Sequence, residues 1–96
     1  MPQYIFLFKF TDQGIRNVKD TAKRAKGFED LAKSMGITVH TILWTLGRYD
    51  GVIIVEGPND ETIASLVLKV GSLGNLKTET LRAFDRREIE PVLSRI

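Results

Sequence analysis

Apolar positions along this chain first alternate, then recur in a helical stripe, then repeat both patterns, and each change of period falls at a capping residue, a glycine or a proline. From Gln3 to Phe10 an aromatic side chain takes every second place (Tyr4, Phe6, Phe8, Phe10), which puts all of them on one face of a strand. Thr11 and Asp12 offer caps for a short turn carrying Ile15 and Val18. Asp20 and Thr21 offer a second cap ahead of Ala22, Ala25, Phe28, Leu31, Ala32 and Met35. Those residues share one stripe, so a helix is predicted over Ala22 to Met35, closed by Gly36 where a left-handed residue is wanted. Gly27 inside it costs about 1 kcal/mol against alanine and reads as tolerated rather than as a point of close packing.

A second strand is predicted from Ile37 to Leu46, with Val39 and Leu43 on one side and His40, Ile42 and Trp44 on the other. The run Gly47-Arg48-Tyr49-Asp50-Gly51 then reverses the chain, its glycines permitting positive φ and its Asp-Gly pair favouring a tight hairpin. Val52 to Glu56 forms a continuously apolar third strand that stops at Gly57-Pro58. Asn59 or Asp60 caps a second helix whose stripe is Ile63, Leu66, Val67, Val70 and Leu73, closed by Gly74. Leu76 to Phe84 is a fourth strand, polar enough for a sheet edge. Asp85 and Glu88 have capping-box spacing before Ile89, Val92, Leu93 and Ile96, and Pro91 should break that tail into two short turns.

The order βαββαβ, with right-handed crossovers, gives an α+β ferredoxin-like domain over residues 1–96: a four-stranded antiparallel sheet, two helices on one face, strands one and three in the centre. Helices on one side cover one face only. Yet Ile5 and Leu7 lie opposite the aromatic row, and Ile53 and Val55 are assigned to the same uncovered face, opposite Val52 and Ile54. Leaving those four side chains wet would forgo on the order of 6 kcal/mol, at about 1.5 kcal/mol apiece. A homodimer packed sheet to sheet is therefore expected, the rival being that the C-terminal turns fold back over their own sheet.

Composition narrows the chemistry without naming a partner. A net charge of +2 with 27% charged residues is far from that of most nucleic-acid binders. The chain has no cysteine, which excludes disulfides, thiolate nucleophiles and cysteine–zinc sites. The apolar N-terminus alternates and is too short for a membrane span or a leader, so a cytoplasmic protein with no membrane partner is expected. One histidine and scattered carboxylates (Glu56, Asp60, Glu61, Glu79) place no three ligands together, and there is no Gly-x-Ser-x-Gly elbow, phosphate-cradling loop or dinucleotide fingerprint. No metal and no cofactor are implied.

The run Trp44-Thr45-Leu46-Gly47-Arg48-Tyr49-Asp50, then Gly71-Ser72-Leu73-Gly74-Asn75 and Thr78-Glu79-Thr80-Leu81-Arg82-Ala83-Phe84, resembles the GYD domain family, and Lys9-Phe10-Thr11-Asp12-Gln13-Gly14-Ile15 is similar as well. One departure is that Arg48 separates Gly47 from Tyr49. The resemblance implies a ferredoxin-like subunit of the dimeric α+β barrel type and supplies no agreed catalytic residues.

Candidate sites are therefore weighed on chemistry. His40, Tyr49 and Asp50, with Trp44 beside them, gather a proton carrier, a phenol, a carboxylate and an aromatic wall at the hairpin. The bland alternative is that Asp50 accepts turn amides, Gly47 takes positive φ, and Tyr49 and Trp44 pack. Trp44 and Tyr49 are the ligand-binding candidates; His40, Tyr49 and Asp50 are the catalytic ones. Gly71-Ser72-Leu73-Gly74 ends a helix, where exposed carbonyls repel phosphate, and reads as a tight exit rather than a nucleic-acid loop. Lys19, Lys23, Arg24 and Lys26 read as a solvated face. The sequence favours a homo-oligomeric protein that binds a small ligand or serves an accessory role. The alternative is a cofactor-independent enzyme, monooxygenase- or isomerase-like, at His40, Tyr49 and Asp50. RNA recognition on the sheet is disfavoured, since Val52 to Val55 offers no aromatic for stacking.

Overall fold

The computed structural model describes residues 1–96. Strands β1 (Gln3–Phe10), β2 (Thr38–Trp44), β3 (Gly51–Glu56) and β4 (Leu76–Ala83) form one antiparallel sheet in the order β2-β3-β1-β4. Helices α2 (Thr21–Ser34) and α3 (Asp60–Ser72) cover one face, while α1 (Asp12–Arg16), a 3₁₀ turn (Val18–Asp20) and α4 (Arg86–Leu93) complete the chain. This is the ferredoxin-like arrangement, with β1 and β3 central. The core lies under the helices: Tyr4, Phe6 and Phe8 from β1, Ile53 and Val55 from β3, Ala32 from α2, Ile37, and Ile63, Leu66 and Val70 from α3. Phe6 meets Phe28 of α2 edge to face at 6.4 Å. The aromatic row is thus buried and unavailable for stacking on a nucleic acid.

Helix ends follow local chemistry closely. Thr11 accepts from the Gly14 amide, and Asn59, not Asp60, accepts from the Thr62 amide. Asp85 and Glu88 form a reciprocal capping box. Gly36 and Gly74 take φ of 77° and 84° at the exits of α2 and α3. Asp20, by contrast, makes no side-chain cap bond, because the 3₁₀ turn runs directly into α2.

The sheet corrects the expected strand faces in two places. Phe6 lies opposite Ile53 and Tyr4 opposite Val55, so Ile53 and Val55 are core residues. Val52 and Ile54 take their place on the outer face, beside Leu7 and Ile5. An unbroken apolar run has no period, so only its pairing with β1 decides which residues point inward. In β2 the register shifts between Val39 and Thr41. That bulge keeps Val39, Ile42 and Trp44 on the helix side with Val55, Ile53 and Phe8, and sends His40, Thr41 and Leu43 outward. His40 and Trp44 therefore do not share a face.

Two further expectations give way. Strand β2 ends at Trp44, and the reversal is a longer loop in which Thr45 N–H bonds the Asp50 carbonyl at 2.9 Å. Only Gly47 uses positive φ there; Gly51 belongs to β3. The tail forms one helix, not two turns. Pro91 lies in the second turn of α4, where it removes one helix hydrogen bond, opposite the exposed Arg87, without ending the helix. Gln3 Nε2 ties α4 to the sheet by donating to Asp85 Oδ2 (3.1 Å) and Glu88 Oε1 (2.8 Å). The helix does not fold back as a cover, since Val92, Leu93 and Ile96 stay exposed.

Candidate functional site

The hairpin residues converge on backbone work. Gly51 must lack a side chain, because a Cβ there would strike the Phe8 ring and the Leu43 carbonyl. Just before it, the Asp50 amide donates to the Phe8 carbonyl at 2.8 Å, and Asp50 Oδ2 accepts from the Phe10 amide at 2.8 Å. The carboxylate thus adds one more rung to the β1–β3 ladder where the strand has run out. It accepts a strand amide, where sequence reasoning expected a turn amide.

Tyr49 crosses the outer face toward the opposite edge. Its hydroxyl donates to Glu79 Oε2 at 2.7 Å, with Lys9 Nζ 5.5 Å and the Arg48 guanidinium 5.8 Å from the ring centroid. The hydrogen bond to Glu79 holds the Tyr49 phenol above its usual range, with desolvation and the Glu79 charge adding to this against Arg48. Thr45 Oγ1 donates to the Tyr49 carbonyl at 2.7 Å, fixing the loop beneath it. His40 stands at the bulge, four residues or about 13 Å along the strand from Trp44. Its Nε2 is 3.9 Å from Glu56 Oε2. The structure brings Tyr49 and Asp50 together with Lys9 and Glu79, and leaves His40 apart from them.

Trp44 belongs to the other side of the molecule. Its indole Nε1 donates to Thr21 Oγ1 at 3.1 Å, and its ring borders a cleft of about 320 Å³ between α2 and the sheet. Phe8, Phe28, Leu31 and Ile42 are among the ten apolar residues of its wall.

Three anchoring features had escaped the sequence. Tyr4 donates its hydroxyl to Asp60 at the start of α3; burial first, then that bond, pushes the phenol up. A hydroxylated residue in an inward aromatic row was the available signal, since a buried phenol needs a partner. Gln3 holds α4, as described above. The third joins the opening motif to the glycine-rich one. Thr11 N–H bonds the Asn75 carbonyl (3.1 Å), Thr11 Oγ1 donates to the Gly74 carbonyl (2.5 Å), and Gln13 Nε2 donates to the Leu73 carbonyl (3.1 Å). A Cβ on Gly14 would collide with the Asn75 carbonyl. The end of α3 is therefore a packed exit, its carbonyls spent on α1.

No group of three His, Asp or Glu side chains is placed to hold a metal ion. No helix is long and apolar enough to cross a membrane. Fold and site together define an α+β ferredoxin-like protein whose glycine, tyrosine and aspartate motif builds a strand-end hairpin. The GYD domain model matches residues 4–93, and the chain belongs to that family. A relative from Thermus thermophilus, named glutamine synthetase and cystathionine beta-lyase binding protein, is 34% identical over 84 residues, covering 86% of this chain and 88% of the relative. No solved structure matches the chain.

Proposed function

We propose that this protein is a self-associating accessory protein, pairing sheet to sheet and docking on a metabolic enzyme rather than carrying out a reaction itself. The observation that carries the proposal is the outer face of the sheet. Ile5, Leu7, Val52 and Ile54 run down its centre only partly buried, flanked by Leu43 (53% exposed) and Leu81 (42%), and the apolar side chains of the tail, Val92 and Leu93, stay exposed rather than packing over them. A contiguous apolar patch of this kind suits a partner surface. Charge suggests how a second copy would sit. Lys9 and Lys77 mark one end of the face and Glu56 the other, so a two-fold axis across the strands sets basic ends against acidic ones.

Docking on an enzyme is supported by the printed name of the Thermus thermophilus relative. A protein that serves such enzymes would work in the cytoplasm. The enzyme alternative has less to rest on, because Asp50 is committed to the Phe10 amide, Tyr49 to Glu79, and His40 stands apart.

The test is to mix the purified chain with glutamine synthetase and with cystathionine beta-lyase from its own source and follow co-sedimentation. Binding to at least one is expected, and it should weaken for an Ile54→Lys variant if the paired form is what docks. A chain that sediments independently of both enzymes, at concentrations where it is itself paired, would contradict the accessory role.

A further inference from the structure

The cleft between α2 and the sheet has no part in the accessory role, and the chemistry of its wall says what it would take. Fourteen residues line it, ten of them hydrophobic. The other four are Thr21, Arg24, Gly27 and Asn75, with no carboxylate among them. Each of the polar side chains is already engaged within the chain. Thr21 Oγ1 accepts from the Trp44 indole at 3.1 Å, Arg24 Nη1 donates to the Asn17 carbonyl at 3.0 Å, and Asn75 Oδ1 accepts from Gln13 Nε2 at 3.0 Å. A charged guest would give up its hydration here without gaining a partner, whereas an uncharged apolar one has little hydration to lose.

Size and shape narrow the guest further. An apolar cavity of about 150 Å³ takes one benzene ring, so a cleft of about 320 Å³ has room for two fused rings. Its wall runs from the buried Phe8, Ile53 and Val70 to the exposed Trp44 and Leu73, and a third ring could rest against those two. Three of the lining side chains, Phe8, Phe28 and Trp44, are themselves aromatic and suit a flat guest through offset or edge contacts. Gly27 adds a separate indication. Its φ is not positive and a Cβ on it would meet nothing within 4 Å, so neither backbone nor packing calls for a residue that weakens the helix. Its missing side chain leaves the cleft wall open.

We propose that this cleft binds an uncharged aromatic small molecule of two or three rings, lying against Phe8, Phe28 and Trp44. The site is on the helix side of the sheet and depends neither on pairing through the outer face nor on docking to an enzyme.

N-phenylnaphthylamine and anilinonaphthalene sulfonate share one ring system without and with a negative charge, and both brighten in apolar surroundings. Titrated at neutral pH, the uncharged probe should bind the unaltered chain at micromolar concentration, about tenfold or more tighter than the sulfonate. It should also quench Trp44, the only tryptophan. Ala25→Leu and Gly27→Met, which add bulk to the cleft wall, should each lower that affinity about tenfold. Circular dichroism and cooperative melting should be kept, above all in Gly27→Met, where the new side chain starts in open space and favours the helix. Ile54→Lys, on the outer face, should bind the uncharged probe as the unaltered chain does. Equal affinity for the two probes, binding of the uncharged probe that survives both wall variants or is lost in Ile54→Lys, or no binding of it at micromolar concentration would overturn the assignment.

Discussion

Single residues do two kinds of work here, and glycines separate them cleanly. Gly27 reads from the sequence as tolerated, and a Cβ at that position would meet nothing within 4 Å. Gly27→Ala should therefore raise stability by about 0.5–1 kcal/mol in urea unfolding. Gly51→Ala should lower it by about 2 kcal/mol or more, because the added methyl strikes the Phe8 ring and a carbonyl. Sequence alone could not tell these glycines apart in that way: Gly51 looked like a turn residue and is needed for space inside the sheet. Tyr4 gives a prediction in pH. Its phenol is pushed above the ordinary value near 10 by burial and by Asp60, so the folded chain holds that proton more tightly than the unfolded one. The associated stability is complete below pH 10 and is lost as pH climbs from there through the raised pKa. Tyr4→Phe should cost about 1 kcal/mol at neutral pH and make the alkaline fall shallower, Tyr49 supplying what slope remains, as read by denaturation at several pH values.

At the scale of elements, the sequence disclosed every strand and both covering helices, because period, caps and glycines agree along most of the chain. It misplaced faces where period carries no information. Val52 to Val55 is apolar throughout, so its inward pair, Ile53 and Val55, emerges only from register with Tyr4 and Phe6. The bulge in β2 left no mark in composition, and it is what parts His40 from Trp44. The tail shows the opposite failure, a proline rule applied too strictly to a short helix that runs on through Pro91. Since α4 is anchored by Gln3 and its own capping box rather than by packing, it should be separable from the core. Gln3→Ala is expected to speed amide exchange in Glu88 to Leu93 while amides of β1 and β3 keep their protection, as followed by hydrogen exchange. Equal loosening of both would mean that α4 is part of the folding core.

For the whole molecule, the deciding feature is a sheet whose two faces are both apolar at the centre, with helices over one. The imbalance was visible in the sequence even though two of its residues were assigned to the wrong side: Ile5 and Leu7 stay outside, and Val52 and Ile54 stand where Ile53 and Val55 were expected. The apolar side chains of the tail, Val92, Leu93 and Ile96, stay exposed instead of packing on that surface. The most direct measurement is sedimentation equilibrium of the unaltered chain at micromolar concentration beside Ile54→Lys, which places a charge at the centre of the patch without touching the helix-side core. The account predicts a mass of two chains for the first and one chain for the second, with matching circular dichroism. An unaltered chain that sediments at its monomer mass of 10.8 kDa across that range would contradict it.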